Sequence, residues 1–416
     1  MTAIHLNELG IVCALGAGKR AVAEALFADD MPRGVAMTDR WTPGRALALG
    51  AFDRELPALD ALPLALRSRN NALLKLALDE MRPQVDRAIA THGDARVAIV
   101  LGTSTSGIAE GERAQRHFQV HGRRPEDFHY AQQEIASPAA FLAHELGTRG
   151  PAHVISTACS SSAKAIASGA RLLRAGLADA VIAGGADSLC AFTIAGFQSL
   201  EAVSVARCNP FSANRCGINI GEGAALFLMT REPGAVRLEG AGESADAHHM
   251  SAPDPTGAGA LRAIAQAIER AGIAARDIDY INLHGTATAQ NDAMESAVVA
   301  ELFATGTPCS GDTAWPERIA LSAPWAARRA SAPWTSTKAC SSSERSPHAS
   351  VTPARSHAAV LRVRTIESPS VRTSNPNVSS AASVVSKDAR RDSVSQCSPA
   401  GEESTARRPS RPSSRR

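Results

Sequence analysis

Aromatic residues are scarce in this chain, at 4% of 416. A core built with so few rings must be packed mainly from Ala, Val, Leu and Ile. No apolar run approaches the length that spans a bilayer, which excludes an obvious transmembrane helix. The first residues, Met1-Thr2-Ala3-Ile4-His5-Leu6-Asn7-Glu8, lack the basic start and apolar stretch of a secretory leader. The 8 cysteines have no paired spacing, so a disulfide framework is not indicated, and reduced thiols in a cytoplasmic setting are expected. Net charge is only +3, which gives no electrostatic case for a nucleic-acid partner. His248-His249 has no further ligand type at useful spacing, so no metal is assigned.

One absence is local. No glycine occurs between Asp312 and Ala400, although the chain has 31, and Phe and Tyr stop at Phe303. Residues 311–416 hold 17 Lys and Arg against 8 Asp and Glu, whereas the preceding residues are net acidic. Ser, Arg, Pro and Ala dominate here, a composition too poor in apolar surface to offset chain entropy. The expectation is a disordered tail over 306–416, short apolar pieces such as Ala358 to Val363 apart. A GC-rich coding sequence read out of phase from about residue 310 would produce this texture. Translation of the other two frames tests it: no glycine-rich, Gly-His-containing extension in either would sink the idea.

What is present before that point reads as alternating strands and helices. Arg96 to Gly102 and Asp179 to Gly185 look like buried strands. A helix is expected from Ala258 to Ala271, stopped by Gly272. Ile278 to Leu283 reads as a strand that delivers His284 at its end. Such alternation implies α/β layering with functional groups at the carboxyl ends of strands. The same cycle begins again near Val236, which suggests two similar halves: 1–235, carrying the nucleophile, and 236–305, the start of a second half.

Four segments carry chemistry. Cys159 lies in Ile155-Ser156-Thr157-Ala158-Cys159-Ser160-Ser161-Ser162, between a strand-like run and a helical one. A cysteine at a helix start meets the positive end of the helix, which favours the nucleophilic thiolate. Ser160, Ser161 and Ser162 suit the first helical turn, where their hydroxyls would satisfy unpaired N–H groups. A lone cysteine is more often a buried packing residue; the other segments shift that balance. They are Leu101-Gly102-Thr103-Ser104-Thr105-Ser106-Gly107, the stretch from Cys208-Asn209-Pro210-Phe211 to Gly221-Glu222-Gly223, and His284-Gly285-Thr286-Ala287-Thr288 followed by Asp292 and Glu295.

Together these segments, over about residues 1–305, strongly resemble the beta-ketoacyl-ACP synthases of the thiolase fold, in the elongating class with a Cys-His-His site. The serine-rich cysteine element is most similar to synthases of aryl-polyene or related polyene pathways. The resemblance implies a duplicated five-layer αβαβα architecture whose second half is incomplete here. It implies decarboxylative condensation of acyl-ACP with malonyl-ACP, in fatty-acid or polyene synthesis, through an acyl-cysteine on Cys159. His284 would be one catalytic histidine, Asp292 and Glu295 site-organising residues, and Phe197 a neighbour of the acyl pocket. No resident cofactor is implied, since substrates ride on the phosphopantetheine of acyl carrier protein. A homodimer is implied as well. On residue type alone, Asp292 and Glu295 could equally be a solvated helix face, and Phe197 plain core. Arg67, Arg69, Arg123 and Arg124 are candidates to meet an acidic carrier protein.

The resemblance ends at Pro308-Cys309-Ser310. The family continues with a lysine and a Gly-His-Thr element bearing the second histidine; this chain reads Gly311-Asp312-Thr313-Ala314-Trp315. His348 and His357 sit in unrelated sequence. Impaired condensation is therefore expected. The rival readings are a non-catalytic partner subunit of a condensing heterodimer, an inactive remnant, and a thiolase.

Overall fold

The computed structural model describes residues 2–28, 33–249, 252–303, 307–311 and 356–365. Most of the predicted 306–416 tail lies outside them.

The centre is an 8-stranded sheet. Its main path runs β12 (Ser356–Thr365), β9 (Val236–Ala245), β1 (Ile4–Cys13), β8 (Gly223–Thr230), β7 (Ala180–Asp187), β5 (Val97–Gly102), β6 (Ala152–Ile155), with β2 (Gly16–Ala17) attached to β1. β3 (Ala36–Thr38) and β4 (Leu47–Leu49) form a separate antiparallel pair. β5 pairs in parallel with both β6 and β7, whereas β7–β8, β8–β1, β1–β9 and β9–β12 are antiparallel.

The apolar run of β5 explains its central place. Side chains alternate across a strand, and here both faces are covered. Val97, Ile99 and Leu101 pack with Leu73, Leu74, Ala77, Leu78 and Met81 of helix α2 (Arg69–His92) and with Phe141 and Leu142 of α4 (Ser137–Leu146). Ala98 and Val100 face the other way, onto Ala165, Ala170 and Leu173 of α5 (Ser161–Arg174). All five β5 side chains are fully buried. Each of the larger ones contributes about 1.5–3 kcal/mol on the usual transfer scale. A strand of this kind shows no hydrophobic alternation in sequence, because neither face is wet.

Residues 236 onward repeat part of this plan. β9 is followed by α7 (Ala258–Ala271), then β10 (Ile281–Leu283), α8 (Ala289–Leu302) and β11 (Cys309–Gly311). β10 and β11 pair in parallel, as β5 and β6 do. β12 and β9 pair antiparallel, as β8 and β1 do. In the first half β7 joins these two kinds of pair; among the described residues no strand stands between β10 and β12. The duplicated α/β architecture expected from the sequence is thus present, with its second half partial. Helix α7 has the predicted limits, and Gly272 ends it in the left-handed conformation at φ 67°. β10 is shorter than expected, but His284 does follow its last residue.

Candidate functional site

Cys159 stands in the turn between β6 and α5 and is exposed. Ala158 beside it adopts φ +55°, a left-handed conformation that costs an L-residue about 1–2 kcal/mol. Hydrogen bonds offset that cost. Ser161 Oγ accepts the Thr157 N–H at 2.9 Å and donates to the Ala158 carbonyl at 2.6 Å, while Ser160 Oγ donates to the Thr157 carbonyl at 2.9 Å. The serines therefore do not cap α5 in the way expected: Ser160 makes no side-chain cap bond, and the hydroxyls reach back to brace the strained turn. The helix start can approach the sheet because β5 ends on glycine. A Cβ on Gly102 would lie 2.4 Å from Ser162 N and 2.5 Å from Ser161 C.

The loop after Gly102 is held from the next strand. Asp187, the last residue of β7, offers Oδ1 to four donors: Thr103 Oγ1 at 2.9 Å, Ser104 N at 2.7 Å, Thr105 N at 2.9 Å and Thr105 Oγ1 at 2.9 Å. A cavity of about 290 Å³, lined by Asp187, Ser162, Cys13 and Gly223 among others, lies at this end of the sheet.

A second carboxylate lies deeper. Glu222 is 5% exposed, and its oxygens receive Phe52 N at 2.9 Å, Leu189 N at 3.0 Å, Arg69 Nε at 2.9 Å and Arg69 NH2 at 2.6 Å. Arg69 also donates to the Phe52 carbonyl at 2.8 Å. This buried pair holds the Arg69 guanidinium pKa above its ordinary value. Arg69 is thereby withdrawn from the set that could greet a carrier protein. Its charge is spent inside the fold, joining α2, the segment before β8 and the segment after β7.

His284 occupies the turn after β10, where Gly285 adopts φ +52° and a Cβ would come within 2.6 Å of Gly311 Cα. One residue of α8 fixes this turn. Glu295 accepts the His284 N–H and the Gly285 N–H, both at 2.8 Å, and Asn291 Nδ2 at 2.7 Å. Asp292, one turn away, accepts the Phe211 N–H at 2.7 Å, at a point where Phe211 has φ +58°. Burial raises both carboxyls above their ordinary values, opposed by the backbone N–H groups that favour the charged forms. Asp292 is 2% exposed, which excludes the solvated-face reading for it.

The sequence-derived residues thus fall into three places. His284 and Glu295 share one hydrogen-bonded turn, and Asp292, on the same helix as Glu295, holds the Phe211 N–H instead. Cys159 belongs to the α5 start. Phe197, in α6 (Ala191–Ser199), packs on an apolar cluster containing Leu47, Leu49, Leu189 and Ile194. The roles of Asp187 and of Glu222, the partner of Arg69, are not legible locally, because Asp187 reaches back 82 residues or more and the Glu222–Arg69 pair spans 153. The adjacent pair Gly221-Glu222 followed by Gly223 was the available signal: a lone acid between glycines at a strand start has little to do on a surface.

Models of two domains match this chain: Beta-ketoacyl synthase, N-terminal domain, over residues 71–235, and Beta-ketoacyl synthase, C-terminal domain, over 235–314. The chain belongs to the beta-ketoacyl synthase family. A solved ketosynthase from Xenorhabdus doucetiae, in complex with its chain length factor, is 47% identical. It superposes with a TM-score of 0.72 over 74% of this chain and 78% of that one. Nodulation protein E of Rhizobium meliloti is 32% identical over 61% of this chain, a match that spans 66% of the relative. The 3-oxoacyl-[acyl-carrier-protein] synthase 2 of Rhizobium meliloti (strain 1021) is 39% identical over 40% of this chain and 43% of its own length. The fold is therefore thiolase-like, as in the ketosynthases. Among the described residues of this synthase-family chain, no helix is long and apolar enough to cross a membrane.

Proposed function

We propose that this chain is a condensing enzyme by descent that takes an acyl group from acyl carrier protein onto Cys159. The observation that carries the proposal is the exposed cysteine at the head of α5, in a braced left-handed turn. The Cys159 thiolate attacks the thioester carbonyl, the bond to the phosphopantetheine sulfur breaks, and that arm leaves as a thiolate that takes up the proton Cys159 gave up. Backbone N–H groups at the helix start are suited to hold the oxyanion formed on the way. In full condensation malonyl-ACP loses carbon dioxide, its enolate carbon attacks the acyl carbon, and the Cys159 sulfur is released. His284 is assigned to stabilise that enolate, with Glu295 positioning its turn and Asp292 holding the Phe211 N–H. Phe197 is assigned to the wall of the acyl pocket.

The second half-reaction is proposed to be slow, since no lysine and Gly-His follow Ser310 at the family's spacing. A catalytic set that acts together loses most of its rate with one member gone. The chain is proposed to act in the cytoplasm as a homodimer. A second arrangement is favoured by the similar Xenorhabdus ketosynthase, which stands in complex with a chain length factor. Retention of Cys159 puts this chain on the ketosynthase side of such a pair.

Incubation with acyl-ACP, followed by intact-protein and peptide mass spectrometry, tests the first step. Acylation confined to Cys159 is expected, with little 3-oxoacyl product after malonyl-ACP is added. A folded sample that takes no acyl group would refute the proposal. Product at an ordinary synthase rate would refute the impairment.

A further inference from the structure

Helix α3 (Ile108–His121) carries histidines at 117 and 121. That spacing puts both on one helix face, and the ring centroids lie 4.3 Å apart. Nδ1 of His117 is 2.8 Å from the Arg123 carbonyl oxygen. A carbonyl only accepts, so Nδ1 carries the proton and donates it. In the neutral ring the lone pair is then on Nε2. Donation of one ring N–H to a backbone carbonyl is the arrangement that orients a metal-ligating histidine and raises its basicity. We propose that His117, through Nε2, and His121 form a two-imidazole site for a borderline divalent transition ion such as Ni²⁺, Cu²⁺ or Zn²⁺.

Imidazole nitrogen suits these ions, whereas hard cations prefer oxygen. Among the described residues no three His, Cys, Asp or Glu side chains converge on one point, so water completes the coordination. The neighbouring arginines would repel a cation, but most are engaged. Arg113 donates to both carboxylate oxygens of Asp127 at 2.9 Å, Arg116 lies 3.7 Å from Glu112, and Arg123 lies 3.9 Å from Glu126. His121 is exposed and can turn to close the chelate. None of the residues assigned to condensation takes part.

The test is calorimetric titration of the full-length protein with Ni²⁺, beside His117→Gln, His121→Gln and the control His129→Gln. The chain has 12 histidines, so the comparison among variants isolates the site. Loss of an orienting partner alone typically costs 10–100-fold in metal affinity, so loss of a ligand is expected to weaken the tightest site by at least about tenfold. The control should bind as the parent does, and far-ultraviolet circular dichroism should show all four proteins folded at the titration temperature. Electron paramagnetic resonance of the Cu²⁺-loaded parent should show two coordinating nitrogens, a readout that needs no variant. A single nitrogen there, or unchanged Ni²⁺ affinity in His121→Gln, overturns the proposal.

Discussion

Glu295 holds both sides of the peptide joining His284 to Gly285: Oε1 accepts the first N–H and Oε2 the second, each at 2.8 Å. Burial is the largest influence on this carboxyl and lifts its pKa above the ordinary 4.5. Well below 4.5 the group is protonated in folded and unfolded chains alike. Between 4.5 and the raised folded value, the unfolded chain releases the proton first, so stability falls as pH rises through that window. Asp292, also raised, acts in the same direction from 3.8. Urea unfolding of the parent and of Glu295→Gln, from about pH 4 to 6, should show a shallower fall in the variant. Parallel curves would remove Glu295 as the source.

Glu222→Ala should be among the most damaging single changes. It would leave Arg69 and the N–H groups of Phe52 and Leu189 without their shared acceptor, inside the fold. Loss of one member of a buried pair costs about 3–5 kcal/mol. A drop in the urea midpoint worth less than about 1 kcal/mol would mean that the pair contributes no more than a surface one.

Two glycines should respond to alanine in opposite ways. At Gly102 the new methyl meets the backbone of Ser161 and Ser162 and must push the α5 start, and Cys159 with it, off the sheet. Overpacking of this kind costs about 1–3 kcal/mol, and iodoacetamide labelling at Cys159 should slow. At Gly196, in α6, a Cβ meets nothing within 4 Å, so alanine should be neutral or stabilise by up to about 1 kcal/mol through helix propensity. Equal effects at both positions would contradict the packing described.

Asp187→Ala should release the loop after β5. The four donors on Asp187 Oδ1 would lose their acceptor, and bonds to a charged group are worth about 1.5–3 kcal/mol each, less than additively. Hydrogen exchange at the amides of Ser104 and Thr105 should accelerate relative to the β5 core, and an unchanged rate would show that the loop is held by other means.

Much of this was legible in the chain. The places of Cys159 and His284 in the fold were readable because each follows a strand and precedes small residues, a local pattern. The limits of α7 were equally local, written in apolar spacing and a terminal glycine. The roles of Arg69, Asp187 and Glu222 were not legible, because a charged side chain reads the same on a surface as in a core until its partner, 153 residues away in the case of Arg69, is placed beside it. The serines after Cys159 misled for a subtler reason. Hydroxyls at a helix start can turn forward to cap or backward to brace, and only the φ of Ala158 decides between them.

β1 has a consequence for how the chain is made. It lies between β8 and β9, with His5 opposite Thr230 and Ile4 opposite Leu238. It is therefore synthesised before β8 and β9 and meets them only after more than two hundred further residues have followed. At about 5–20 residues per second, that leaves the strand without its two long sheet partners, with only the short β2 beside it, for roughly 10–45 s. Chaperone occupancy of nascent chains should be heaviest in that interval and fall once β9 has emerged.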